Sequence, residues 1–478
     1  MKRAGWRARR CALVRCSLLV ALLWGLFGCQ KEKAVAKQNV SAQALSTPSF
    51  RLLVFTDLRG TLEPCGCTER SLGGMARLAA AVRRGQADRV PTLVVSAGNL
   101  FFDSGQEPDI ARAHALANIL ARLPLAVANP GLADLGQGQE LVRELAGKAH
   151  VTLLAAGVEF AESDKAQRSA ADFERAPNRT LPATTQLSIG GIKIGLIGVT
   201  LADPTATDAP MIPANALAAA ADAAKGLRRN GAQVLVGLLT GPTKSARDFA
   251  QLGGLDLVVR GGGTPTPTSP NEGDSKVLSA GEKSERLLGV DVWLGSPHRI
   301  RVRAEELRRN APEESETRRL LDQYAHQINS SNQQRFAAKL PLPANPKDDG
   351  YVGSRPCASC HTAAYLWWNR TPHGHAYQSL VDQEKEFHLD CVGCHVTGYE
   401  KPGGSTVTHV EGLKDVGCES CHGPGSAHIT DARPPLRFIK RKVSPTVCLG
   451  CHTKEHSEGF DFDEYVSRLL VPGHGLPL

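Results

Sequence analysis

Eight cysteines between positions 357 and 451 fall into four copies of one pentad: Cys357-Ala-Ser-Cys360-His361, Cys391-Val-Gly-Cys394-His395, Cys418-Glu-Ser-Cys421-His422 and Cys448-Leu-Gly-Cys451-His452. Two thiols separated by two residues match the two vinyl groups of haem, to which they add as thioethers. The histidine that follows is then placed to ligate the iron. Zinc knuckles, iron–sulfur sites, redox dithiols and disulfides also use paired cysteines. None of them demands a histidine directly after the second cysteine, four times in four. The pattern predicts four haem c, anchored by these eight cysteines, with His361, His395, His422 and His452 as proximal ligands.

The remaining histidines bear on the opposite face of each iron. Of 15 histidines, 11 lie in residues 351–478, and seven of those are not proximal: His373, His375, His388, His409, His428, His456 and His474. The three methionines are Met1, Met75 and Met211, so methionine cannot ligate here. Paired imidazoles favour low-spin iron of low potential. The same segment has too few large apolar side chains to pack alone, so porphyrin is expected to form much of its core.

Residues 351–465 resemble the multihaem cytochrome c family typified by the tetrahaem electron carrier of ammonia oxidisers. The resemblance is carried by Tyr351-Val-Gly-Ser-Arg-Pro-Cys357, Thr371-Pro-His373-Gly-His375-Ala376, Gly398-Tyr399, Gly423-Pro-Gly425-Ser-Ala-His428 and Gly459-Phe-Asp-Phe-Asp-Glu-Tyr465, together with the pentads. It implies a compact, mostly α-helical domain with closely packed haems and electron transfer as the activity. It favours His375, His409 and His428 as distal ligands. The fourth is open among His373, His388, His456 and His474, and one iron lacking a distal ligand is an alternative. Trp367 and Trp368 read as haem packing or as core filler.

Residues 50–303 have a different pattern. Apolar strand-like runs, such as Leu52–Thr56, Thr92–Ser96, Ile192–Val199 and Gln233–Leu239, alternate with helical ones such as Met75–Arg84 and Ala214–Arg229. Alternation of this kind predicts an α/β layered fold with helices on both faces of a mostly buried sheet. The loops Asp57-Leu-Arg59-Gly60, Leu72-Gly73-Gly74, Gly98-Asn99, Asn129-Pro130-Gly131 and Gly261-Gly262-Gly263 resemble, in order and spacing, those of calcineurin-like metallophosphoesterases of the 5′-nucleotidase branch. That family holds two divalent cations on carboxylates and imidazoles. Matched position by position, Asp57 and Asn129 are kept, whereas Arg59, Asn99 and Pro130 stand where ligands belong, and residues 151–297 contain no histidine. The expectation is an inactive domain kept as a scaffold or docking platform; a residual phosphate pocket on Arg59 and Gly261–Gly263 is the alternative. Cys65-Gly66-Cys67 could form a disulfide or touch a metal or haem.

Lys2 to Arg15 followed by the apolar run Cys16–Phe27 reads as an export signal over residues 1–28. Leu26-Phe27-Gly28-Cys29 resembles a lipobox, with Cys29 the lipidated residue, and residues 29–49 read as a flexible tether. The six cations of residues 1–28 account for most of the formal charge of +8, leaving +2. With that small residual charge and only 5% aromatic residues to stack on bases, no nucleic-acid partner is expected. Residues 304–346 mix Glu, Arg and Leu and predict one or two solvated helices acting as a spacer, ending at Leu340-Pro-Leu-Pro-Ala-Asn-Pro346; residues 347–478 form the tetrahaem domain. The sequence thus predicts an envelope electron carrier with protein redox partners and a lipid anchor to the membrane. The alternatives are a haem-based reductase with one open iron and a phosphoesterase with a fused cytochrome.

Overall fold

The structure, a computed structural model, describes residues 47–64, 71–103, 109–158, 180–201, 215–252, 254–262, 277–344, 349–430, 439–453, 456–457 and 459–477. The leader, Cys29, Cys65, Cys67 and Gly263 lie outside the described residues.

Strand β1 (Phe50–Thr56) is buried along its whole length. Phe50, Leu52 and Val54 enter one core, Leu53 and Phe55 another. Side chains alternate across a strand, so a strand with both faces covered must be apolar throughout. It lies in a six-stranded sheet with β2 (Thr92–Gly98), β3 (Leu125–Pro130) and β4 (Thr152–Leu153). The second sheet holds β5 (Thr184–Ile189), β6 (Ile192–Thr200), β7 (Val234–Thr240), β8 (Leu257–Gly261) and β9 (Val277–Leu278). Strands β10 (Arg286–Trp293) and β11 (Arg299–Glu306) return to the first sheet, whose order is β11-β10-β1-β2-β3-β4. β1 to β4 run parallel, and β10 is antiparallel to both its neighbours.

The apolar runs thus belong to two sheets rather than one. Phe50, Leu52, Val95, Ile194, Val236, Val259 and Val290 share the core between them. Helices α1 (Met75–Gly85), α2 (Ile110–Leu120), α3 (Leu132–Leu135) and α4 (Gln139–Lys148) belong to the first sheet's side. Helices α5 (Ala216–Arg229) and α6 (Thr243–Leu252) pack on the outer face of the second. Each sheet is covered by helices on one face and by the other sheet on the second. Periodicity cannot separate this from a single sheet flanked by helices, because both bury both faces of every strand.

The charged stretch after β11 forms one helix, α7 (Ser315–Phe336), and it is more than a spacer. Its buried residues are Thr317, Leu321, Ala325, Asn329 and Asn332, spaced as one helical face. Leu321 joins the core beneath the first sheet, and Phe336 packs against the core of the C-terminal region. The lower half of that face is polar because it reads backbone. Asn329 Oδ1 accepts from Phe387 N at 2.8 Å, and Asn332 Nδ2 donates to Phe387 O at 3.0 Å.

The C-terminal region consists of short helices: α8 (Thr362–Trp368), α9 (Ala376–Val381), α10 (Leu389–His395), α11 (Cys418–His422), α12 (Ser426–Thr430), α13 (Pro445–Leu449) and α14 (Phe462–Leu469), closed by a two-residue ladder between Val471–Pro472 and Gly475–Leu476. Its own hydrophobic core is Tyr377, Val392, Val396, Val407 and Val410. Among the described residues no helix is long and apolar enough to cross a membrane.

Ion pairs complete the junction between the two regions. The Glu63 carboxylate accepts from Arg318 at 2.6 Å and from Lys385 at 3.1 Å, and Arg112 pairs with Asp390. Burial pushes the Glu63 carboxyl up, but Lys385 and Arg318 outweigh it and hold it below the usual carboxylate range. Its contribution to stability is therefore fully present above the ordinary carboxylate pKa and is lost as pH falls through the lowered folded value. Glu63→Gln should cost about 1–2 kcal/mol at neutral pH. In thermal unfolding from pH 7 downward, the gap between variant and parent should close in acid; a gap of the same size at low pH would contradict the assignment.

Candidate functional site

The four pentads all lie on short helical turns. In a helix, residues i, i+3 and i+4 share a face, so both thiols and the following imidazole of a C-x-x-C-H word point the same way. α10 and α11 contain whole pentads. In the others the backbone closes across the word: His361 N donates to Cys357 O and His452 N to Cys448 O, both at 2.8 Å. The thiols of different pentads adjoin. Cys357 hydrogen-bonds Cys418, Cys394 hydrogen-bonds Cys451, and Cys421 lies within electrostatic range of Cys448.

The imidazoles pair. Two imidazoles on one metal ion, each with a metal–nitrogen bond of about 2 Å, have ring centroids about 6 Å apart. His361 and His428 stand at 6.2 Å, His373 and His452 at 6.2 Å, and His422 and His474 at 6.1 Å. Each pair joins one proximal histidine to one from elsewhere in the region. Among the described residues, His395 has no second imidazole at that distance.

Hydrogen bonds orient these rings through Nδ1, leaving Nε2 for a metal. His395 Nδ1 donates to Ala376 O at 2.6 Å, His422 Nδ1 to Lys440 O at 2.7 Å, and His474 Nδ1 to Leu469 O at 2.7 Å; His452 Nδ1 faces Ser457 Oγ at 3.1 Å. Among the described residues His428 Nδ1 is buried without a hydrogen-bond partner. Burial lowers the pKa of His373 and of His452, which favours the neutral, ligating form. Trp367 stacks on His474 at 4.9 Å, and Trp368 Nε1 donates to Val416 O.

Among the described residues no imidazole pair at that distance includes His375, His388 or His409. His375 follows His373 by two residues in a 3₁₀ turn (Pro372–His375), where they face apart, and it lies in the electrostatic field of Asp415. His409 Nδ1 faces the hydroxyls of Thr406 and Thr408. His388 Nε2 meets Ala325 O on α7 at 3.3 Å. His456 is held by its backbone to Thr453. Pairing His452 with His373, and His422 with His474, is a feature of the folded chain that spacing does not reveal. The carbonyls of Ala376, Lys440 and Leu469 carry no sequence signal at all.

These residues fit haem c. Beyond the pentads and the imidazole pairs, large apolar side chains stand exposed where a porphyrin would cover them: Leu366, Leu389, Ile429 and Leu449 all lie on the helices that carry or adjoin the pentads.

The loops matched to a phosphoesterase site do converge, around Asp57. Its carboxylate accepts from Gly262 N at 2.9 Å and from Asn99 N at 3.1 Å. Gly98, at φ 101°, packs so closely that a Cβ there would meet Asp57 Oδ1 at 2.1 Å. Burial pushes the Asp57 carboxyl up to about 6, against the pull of the Gly262 N–H and of Arg59. Arg59 fills the neighbouring space and pairs with Asp103 at 3.3 Å and Glu282 at 3.1 Å. Asn129 is consumed by Leu154 O, Thr200 and Thr240, and Asn99 Oδ1 accepts from Ala133 N. Asp57 and Arg59 keep positive φ, 47° and 52°, a strained loop of the kind found at functional sites. Among the described residues no group of three His, Cys, Asp or Glu side chains could hold a metal ion.

The family model of cytochrome c554 and c-prime matches residues 356–423. Cytochrome c-554 of Nitrosomonas europaea is 39% identical over 146 residues, 27% of this chain. The match spans 61% of that relative's length. Similar solved structures include a 5′-nucleotidase precursor from Thermus thermophilus (20% identity, 67% of each chain, TM-score 0.44) and the NAD nucleotidase NadN of Haemophilus influenzae (14%, 64% of each chain, 0.47). Another is the calcineurin-like phosphoesterase YfkN from Bacillus subtilis (15%, 58% of this chain and 97% of that one, 0.45). The C-terminal matches support a multihaem cytochrome c region with haem c as its cofactor.

Hydrolysis of p-nitrophenyl phosphate or nucleotides with manganese or zinc added should not exceed the rate without protein. Turnover of order 1 s⁻¹ or more would show that a metal site forms despite Arg59.

Proposed function

We propose that this chain is an exported multihaem electron carrier that holds four haem c groups and exchanges electrons with protein partners at the cell envelope. The observation that carries this reading is the set of three imidazole pairs at 6.1–6.2 Å, each built on a C-x-x-C-H word. Bound haem iron supplies one-electron chemistry, cycling between ferric and ferrous states. The chain's own residues hold it in place. The pentad cysteines would anchor haem, and His361 with His428, His452 with His373, and His422 with His474 would ligate its iron. Carbonyls on Nδ1 fix the ring orientation and raise ligand basicity, which favours low potential.

The thiol contacts support one file of attachment sites. Cys357 hydrogen-bonds Cys418, Cys451 hydrogen-bonds Cys394, and Cys421 lies within electrostatic range of Cys448. The Cys391–Cys394 site ends the file beside the layered domain, where Asp390 pairs with Arg112 and His388 meets α7. That domain serves as a docking scaffold without phosphoesterase activity. Residues 1–28 export the chain, and Cys29 attaches it to a membrane through lipid.

His395 favours a second reading. With no imidazole opposite it among the described residues, its iron keeps a position open for a small ligand, which would make the chain a haem-based reductase at that site.

Pyridine haemochrome assay should give four haems per chain; two or fewer would contradict the count. In electron paramagnetic resonance the parent should show one high-spin haem beside low-spin ones. His428→Ala, His373→Ala and His474→Ala should each convert one further haem to high spin and raise its potential, whereas His375→Ala and His409→Ala should leave the spectrum unchanged. The reverse result would exchange the assignments.

A further inference from the structure

We infer that Lys440, Arg441 and Lys442 form the docking face for an acidic redox protein, placed so that the partner abuts the His422–His474 site. The inference rests on the electron-carrier reading above and names the partner chemistry for it.

Lys440, Arg441 and Lys442 are three successive cations in a chain whose charge beyond residue 28 sums to only +2. Lys440, Arg441 and Lys442 are all exposed, and among the described residues none of them has an ion-pair partner. Elsewhere on the surface cations are commonly neutralised in place, as Arg112, Arg228, Lys339 and Lys385 are.

The second observation ties this charge to a ligand ring. Lys440 N donates to His422 O at 2.8 Å, and His422 Nδ1 donates to Lys440 O at 2.7 Å. Lys440 thus grips the proximal histidine twice through its backbone while its side chain points to solvent. A partner held at Lys440 would adjoin the residue whose backbone holds the His422 ring. The Cys391–Cys394 site is engaged by Arg112 and α7, whereas Lys440, Arg441 and Lys442 stand exposed beside the Cys418–Cys421 site. An anionic lipid surface would satisfy the charge but has no electron to exchange, and so gives no role to the contact with His422.

Charge complementarity of this kind governs encounter rate and its salt dependence. Hexacyanoferrate(III) is a defined anionic probe: it takes one electron from a ferrous haem, leaving ferric iron and hexacyanoferrate(II). Stopped-flow oxidation of the reduced full-length protein should be fast at low ionic strength and slow steeply with salt. The Lys440→Glu/Arg441→Glu/Lys442→Glu variant should lose about tenfold in rate at low salt, with a flattened salt dependence. Hexaammineruthenium(III), a cation, should show the opposite change. Arg229→Glu/Lys244→Glu/Arg247→Glu, the same change in net charge on α5 and α6, should leave both rates near the parent's. The corresponding triple glutamine variant tests the point should the glutamate variant fail to mature.

A readout free of turnover is paramagnetic broadening by redox-inert hexacyanochromate(III). It should fall on the haem methyls of the His422 site and vanish in the variant. Equal rates and equal broadening in the parent and the variant would overturn the proposal while leaving the electron carrier intact. So would loss of binding to phosphatidylglycerol vesicles as the variant's only change, which would make the run a membrane contact. A chain that takes up no electrons overturns both readings.

Discussion

The C-terminal region lacks a side-chain core large enough to hold it together. Five buried residues, Tyr377, Val392, Val396, Val407 and Val410, form its centre, against far larger clusters in the layered domain. Its helices are five to eight residues long, too short to be stable by themselves. Bound haem would supply the missing cross-links: thioethers from the paired cysteines, and imidazoles brought together from distant segments in three of the four sites. His361 and His428, or His422 and His474, are far apart in sequence and adjacent in space. Every other feature of the region follows from keeping those rings in register, including the carbonyl acceptors on Nδ1 and the exposed leucines that await a porphyrin.

The layered domain takes the opposite solution. It buries both faces of two sheets, and its loops converge on Asp57 as they would around a metal pair. The space has been closed by the protein itself. Backbone N–H groups occupy the carboxylate, Arg59 brings a fixed cation with two acidic partners, and Asn99 and Asn129 are tied into the loops. The fixed Arg59 cation opposes divalent cations and is balanced by Asp103 and Glu282. The domain instead presents Glu63, Arg112 and α7 to the haem region.

The pentads declared their chemistry in sequence because covalent attachment fixes both residue type and spacing. The alternation of strands and helices was equally legible, although the division into two sheets was not, since both arrangements leave strands apolar on two faces. The pairing of imidazoles was only partly readable. His428 stands out after a Gly-Pro-Gly turn. Choosing between His373 and His375 depends on the direction of a 3₁₀ turn, and His474 is brought back by the turn at the end of the chain. Helix α7 misled for a physical reason: Asn329 and Asn332 dock by hydrogen bonds to backbone, which leaves no hydrophobic stripe to detect. Lys440 O, Leu469 O and Ala376 O act through main chain, so no residue identity encodes them.

The central claim, that bound haem takes the place of a core in one region and not in the other, can be read by hydrogen exchange with mass spectrometry. The full-length chain would be compared with and without c-type maturation. Without haem, amides of residues 349–477 should lose protection almost completely while those of the two sheets between residues 50 and 306 keep theirs. Equal protection of residues 349–477 in both preparations would contradict the account.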